Sequence, residues 1–194
     1  DYVGGFAGSN SENSWMSGSY SAIISNSYSF GNITRKSSSS GTNFGAFSGT
    51  NSKTKILNCY SLGWVKYSET IQTDKGFCGS VTAEGNYEMT GNFWDTETSQ
   101  ASSSSGTATG KTTAEMKTQS TFTDAGWDFS GESANGDNDY WSINASENGG
   151  YPYLSWQSFS AETPAEQPTN LVFSNSGTDP YNILLNYTAS ASAE

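Results

Sequence analysis

The chain has 194 residues, of which Ser, Thr, Asn and Gly supply 94, and it sets 8 Lys and Arg against 19 Asp and Glu for a formal charge of −11. That balance excludes a phosphate-binding surface, because releasing counterions from nucleic acid needs clustered cations; a polybasic membrane patch is equally absent, and no apolar run approaches the roughly 20 residues of a membrane-spanning helix. Low-complexity disorder conflicts with an aromatic content of 14%, which fits apolar residues that are few but regularly placed.

Taken in chain order, the first pattern is Val3-Gly4-Gly5-Phe6-Ala7-Gly8, followed by Ile24-Ser25-Asn26-Ser27-Tyr28-Ser29-Phe30-Gly31. After a polar insert over Arg35 to Gly41, both return as Phe44-Gly45-Ala46-Phe47-Ser48-Gly49 and Ile56-Leu57-Asn58-Cys59-Tyr60-Ser61-Leu62-Gly63. Weaker third copies are Lys75-Gly76-Phe77-Cys78-Gly79 and Met89-Thr90-Gly91-Asn92-Phe93-Trp94. Tyr28, Tyr60 and Phe93 are thus 32 and 33 residues apart, and Phe6, Phe47 and Phe77 are 41 and 30 apart. A period near 30 with short apolar strands and Gly or Asn corners predicts an all-β fold, a right-handed parallel β-helix over 1–110, with like residues stacked on like. Within each block, alternation puts Ile24, Asn26, Tyr28 and Phe30 on one side and Ser25, Ser27 and Ser29 on the other. A hairpin sandwich is the rival, but it does not demand this self-similarity.

Residues 102–110 contain no large apolar side chain and read as an exposed loop. Thr112 and Glu115 then form a capping-box pattern that predicts one short helix near 113–120. Trp127-Asp128-Phe129, Tyr140-Trp141-Ser142-Ile143 and Tyr151-Pro152-Tyr153-Leu154 read as an aromatic-rich cap over 111–157, covering the open end of the solenoid. Glu162, Pro164, Glu166 and Pro168 mark a linker at 158–168. Two strands of a β-sandwich-like domain are expected in 169–194, too few to close a core alone. A start in the middle of a pattern, without an initiator Met or signal peptide, is expected of a fragment of a longer, processed chain.

The glycine-aromatic blocks at 3–8 and 24–28 resemble the GLUG repeat of bacterial and archaeal surface proteins. Asn92-Phe93-Trp94-Asp95, Gly110 to Lys117, Gly126 to Phe129 and Gly149 to Leu154 look like the segment that ends such arrays. The resemblance covers about residues 1–157, and Pro168-Thr169-Asn170-Leu171 is similar to the opening of a fibronectin type III domain. It implies a large secreted or surface-anchored multidomain protein. Some immunoglobulin-A-cleaving metallopeptidases carry these repeats beside a zinc domain, but its His-based motif is missing here.

The chain has no His, so the usual general base, triad partner and zinc ligand are gone and no catalytic residue is assigned. Lys66 with Glu69 and Asp74 as a lyase site, and Asp95 with Glu97 or Glu132 with Asp137 as glycosidase pairs, rest on sequence proximity alone; acids that hold turns and face water are the better reading. Asp137 and Asp139, with Glu132 in support, form the best Ca²⁺ loop, set against an Asx-type turn. Trp15, Trp64 and Tyr67 lie outside the aligned anchors and could stack on sugar rings. Asn32, Asn144 and Asn186 match the N-glycosylation acceptor pattern. Cys59 and Cys78 sit on neighbouring repeats and are either a disulfide or two buried thiols. The expected role is a non-catalytic extracellular structural or adhesive module whose partner is an extracellular protein, a glycan or copies of itself, with no nucleic acid and no membrane insertion. The alternatives are a carbohydrate-binding or polysaccharide-processing face and a self-assembling filament or surface-layer subunit.

Overall fold

The computed structural model describes residues 1–12, 22–157 and 159, and the backbone of 172–175 and 183–186. The chain divides into two compact units, Asp1–Ser158 and Phe159–Glu194. In the first, the leading sequence block forms β1 (Tyr2–Gly4), β2 (Ala7–Ser11), β3 (Ile23–Ser29) and β4 (Ile33–Arg35). The second forms β5 (Asn43–Gly45), β6 (Ser48–Ser52), β7 (Lys55–Ser61) and β8 (Val65–Tyr67), with β9 (Thr70–Ile71) after it. The third forms β10 (Cys78–Thr82), β11 (Glu88–Thr90) and β12 (Phe93–Asp95). Then come α1 (Thr96–Ser99), β13 (Thr109–Lys111), α2 (Thr113–Met116), α3 (Gln119–Thr123), β14 (Trp141–Ser142), a 3-10 turn at Asn148–Gly150 and β15 (Tyr153–Leu154). The second unit contributes β16 (Val172–Asn175) and β17 (Ile183–Asn186).

Equivalent strands of successive blocks pair in parallel. β1 lies on β5, β6 sits between β2 and β10, and β7 pairs with β3 on one side and with β11 and β12 on the other. The anchors meet in register, Tyr28 opposite Tyr60 and Tyr60 opposite Phe93. Phe6, Phe47 and Phe77 stack at 5.0 and 4.6 Å between centroids, and Tyr28 on Tyr60 at 5.2 Å. Each such pair is worth about 0.5–1.5 kcal/mol beyond the area it buries.

The expected right-handed parallel β-helix is nonetheless not what these strands make. They form short separate sheets of two to five strands, and among the described residues no sheet closes and no continuous coil runs through the copies. Among the described residues the fold is mostly β, with several short parallel sheets and three small helices. Physically, the ladders do not all continue through the three copies, and their offsets differ. Equivalent residues are offset by 41 at Asn10 and Asn51 but by 32 at Asn32 and Trp64. The third copy splits into β11 and β12, and the β4–β8 ladder ends on β9, which pairs antiparallel. The single helix expected near 113–120 is likewise two, preceded by α1. The Thr112–Glu115 capping box forms, but Thr118 is extended (φ −114, ψ 117) and separates α2 from α3. In the second unit the described backbone is one antiparallel pair, β16 with β17.

Two cores share the five-stranded sheet. Phe47, Ile56, Cys59, Phe77, Cys78, Met89 and Trp94 fill one. Tyr60 and Phe93 join Met116, Phe122, Trp127, Phe129, Trp141 and Tyr151 in the other. The aromatic segment expected to cover the end of the stack therefore packs against the sheet's flank. A left-handed residue recurs at the point where side chains change core: Asn26 (φ 47), Asn58 (φ 53) and Gly91 (φ 65). Short Asn tolerates this conformation where a bulky residue would not. It breaks the expected alternation, so that Cys59 rejoins Ile56 in the first core while Tyr60 turns to the second.

Candidate functional site

The outer face of β2–β6–β10 carries a grid of hydroxyls. Ser9 pairs with Thr50 and Thr50 with Ser80 in one rank; Ser11 pairs with Ser52 and Ser52 with Thr82 in the next. The intervening residues point inward, where Asn10 and Asn51 are buried and Val81 packs on the first core. Strand alternation thus divides a repeated tripeptide into a hydroxyl face and a structural face. Inside, the Asn10 amide donates to Asn51 Oδ1 (2.9 Å), which also accepts from the Thr54 hydroxyl (2.6 Å). Outside, Ser80 Oγ donates to Thr50 Oγ1 (3.0 Å).

Tyr2 and Asn43, register partners on β1 and β5, complete the margin of this face. Together with the six hydroxyl residues they enclose a shallow trough of about 440 Å³. Glycine allows β1 and β5 to approach so closely. A Cβ on Gly8 would lie 2.8 Å from the Tyr2 carbonyl, and one on Gly49 would lie 2.6 Å from the Val3 amide. Gly79 meets the Phe44 amide at the same distance of 2.6 Å. Tyr2 keeps 58% of its surface exposed, so its ring is presented beside the grid. Among the described residues no Lys, Arg, Asp or Glu lines the trough, on a chain that is strongly acidic.

The residues singled out from sequence take other places. Tyr67 is used internally: the Arg35 guanidinium lies 3.8 Å over its ring, Phe44 meets its edge, and its hydroxyl donates to the Thr42 carbonyl (3.2 Å). Trp64 is half-buried, with Lys66 Nζ 5.2 Å above the ring. Trp15 lies outside the described residues. Asp137 and Asp139 are exposed, whereas Glu132 accepts the amides of Ala134, Asn135 and Phe129 and so closes its own turn. The acceptor at the centre of that loop is Asp128, which takes the Asn138 (2.9 Å) and Asp139 (3.2 Å) amides from ten and eleven residues further along and so ties the loop back to the aromatic segment. Among the described residues no three His, Cys, Asp or Glu converge as a metal set.

Asn32 and Asn144 are exposed; Asn32 Oδ1 accepts the Trp64 amide, and Asn144 Oδ1 accepts the Ser146 amide and hydroxyl. Asn186 ends β17, and its side chain lies outside the described residues.

Cys59 and Cys78 are free, buried thiols. Each occupies a position where the neighbouring block has serine: Cys59 pairs with Ser27, and Cys78 with Ser48. The thiols repeat the serine hydrogen bond, Cys59 donating to Leu57 O as Ser27 does to Ser25 O, and Cys78 to Ser80 O as Ser48 does to Thr50 O. Burial pushes the Cys59 thiol up to about 12 and the Cys78 thiol up to about 11, so both stay protonated and unreactive at neutral pH.

Three features escaped the sequence reading. One is the burial of Asp95: expected to hold a turn and face water, it is fully buried and accepts from the Glu97 and Thr98 amides, the Thr113 hydroxyl and the Tyr151 hydroxyl, tying α1 to α2 and the aromatic segment. Trp156 is 77% exposed. The trough itself was readable by extending each glycine-aromatic block three residues: Gly8-Ser9-Asn10-Ser11, Gly49-Thr50-Asn51-Ser52 and Gly79-Ser80-Val81-Thr82 share the pattern.

No family model matches this chain, and no solved structure matches it. Over 112 residues it is 34% identical to a protein of Evansella cellulosilytica named "Putative Gly-rich membrane protein", which covers 55% of this chain. The chain spans 12% of that protein's length. A relative so named is compatible with a cell-surface location, and among the described residues no helix is long and apolar enough to cross a membrane.

Proposed function

We propose that this chain is a non-catalytic structural and adhesive module of a large secreted or cell-surface protein, of the kind that carries GLUG repeats. The observation that carries this reading is that equivalent residues of successive blocks are spent on one another. Phe6, Phe47 and Phe77 stack, Tyr28 stacks on Tyr60, and Asn10 bonds Asn51. The buried titratable groups serve packing too: desolvation raises the Tyr60 phenol and both thiols, favouring their neutral forms. The relative's name supports a location at the envelope. The test is antibody labelling of intact and permeabilised cells of the source organism, combined with adhesion of beads coated with the chain. Labelling of intact cells and retention of the beads on extracellular material are expected. Labelling only after permeabilisation overturns the reading.

A further inference from the structure

We infer that the trough on β2–β6–β10 is a binding site for a neutral oligosaccharide, with Tyr2 as its stacking platform; this rests on the module being an exposed adhesive surface. Hydroxyl ranks recur across strands at about 4.8 Å and along them at about 6.6 Å, the spacings of a parallel sheet. Each Ser or Thr hydroxyl both donates and accepts, as a sugar hydroxyl does; Thr50 at the centre is buried and takes the Ser80 hydroxyl, while the exposed Ser9, Ser11 and Thr82 and the half-buried Ser52 and Ser80 match a polyol without requiring a defined charge. The three columns come from three separate blocks, yet all three keep a hydroxyl in both ranks. The neighbouring inward positions are less uniform, Asn10 and Asn51 giving way to Val81.

The margin adds what a hydroxyl face alone lacks. The Tyr2 ring, 58% exposed, offers an apolar surface for the C–H face of a pyranose, and Asn43 beside it supplies an amide. The trough volume of about 440 Å³ lies within the roughly 300–1,000 Å³ range of small-molecule sites, room for a short segment of a glycan. The sign of the field selects among glycans. A chain of formal charge −11 repels uronic-acid polymers at low salt, and no Lys or Arg among the described residues lines the trough to offset that.

The experiment is an amide-resolved NMR titration of the full chain with β-1,4-linked glucose, mannose and xylose hexamers at millimolar concentration, with a galacturonic acid hexamer as the acidic comparison. At least one neutral hexamer is expected to shift the amides of Ser9, Thr50, Ser52, Ser80 and Thr82. Tyr2→Ala is expected to weaken that binding by about tenfold and Tyr2→Trp to preserve it; Thr82→Val, another exposed position, should weaken it with the rest of the spectrum unchanged. No response to any neutral hexamer overturns the proposal, as do shifts centred elsewhere or equal binding of the acidic hexamer. Surface labelling and bead adhesion are read separately, so failure here leaves the module's location and structural role to their own test.

Discussion

Replacing both thiols by serine should flatten the chain's alkaline stability profile. The Cys59 thiol is raised from an ordinary 9.0 to about 12 and the Cys78 thiol to about 11, chiefly by desolvation. At about 1.4 kcal/mol per pH unit, ionising them inside the fold costs on the order of 4 and 3 kcal/mol. The unfolded chain releases these protons near pH 9 while the folded chain holds them. Their contribution is therefore complete below pH 9 and is lost as pH rises through 11 to 12. A loss of about 7 kcal/mol is comparable with the whole stability of a typical domain, about 5–15 kcal/mol. The Tyr60 and Tyr151 phenols, raised by desolvation, act in the same sense above pH 10. Cys59→Ser/Cys78→Ser should cost about 1 kcal/mol per site at neutral pH, since serine makes the same hydrogen bond in the adjacent blocks. Between pH 9 and 11 the variant's urea-unfolding free energy, followed by near-UV circular dichroism, should fall much less steeply than that of the parent. Equal slopes for the two proteins would refute the assignment of the thiols as buried and neutral.

Asp95→Ala removes an N-cap and leaves the Thr113 and Tyr151 hydroxyls without their acceptor; a loss of about 3 kcal/mol is expected, read by thermal unfolding as a drop of roughly 10 °C. Asn51→Ala breaks the buried bonds to Asn10 and Thr54 and should destabilise by a similar amount, about 3 kcal/mol, with loss of protection at the β6 amides in hydrogen exchange. Gly49→Ala places a Cβ within 2.7 Å of three backbone atoms, those of Gly8, Val3 and Asn43, and should cost more than about 4 kcal/mol, seen as failure to accumulate folded protein. Gly126→Ala is the control, since its Cβ meets nothing within 4 Å; only its left-handed backbone resists, at about 1–2 kcal/mol.

The sequence made the ladders legible because stacked strands require like residues at like positions. Tyr28, Tyr60 and Phe93 could be aligned by eye, and they pair in register. The step from ladders to a closed coil failed because alignment reports which residues match and not whether the segments between them are equal. The alternation within 24–30 failed at Asn26, whose left-handed turn leaves no trace in a polar-apolar pattern. The aromatic segment was visible, but its target was not; Trp127 and Trp141 had no partner in sequence until Tyr60 was placed at their side. Of the site, Tyr67 and Trp64 looked available because they fall outside the repeat, whereas Arg35 and Lys66 cover their rings. The trough carries no distinctive signature because Ser and Thr are so common in this chain that the spacing of six of them does not stand out.

The unequal offsets between blocks have a practical consequence for anyone who would re-engineer the molecule. Between the first two blocks the β2–β6 ladder is offset by 41 residues and the later ladder by 32, so nine additional residues enter between Asn10 and Asn32 while every paired strand keeps its register. Connections rather than strands set the tolerance to insertion. Foreign peptide loops grafted between β2 and β3 should therefore be carried by the frame, next to a face that already presents its side chains in ordered rows.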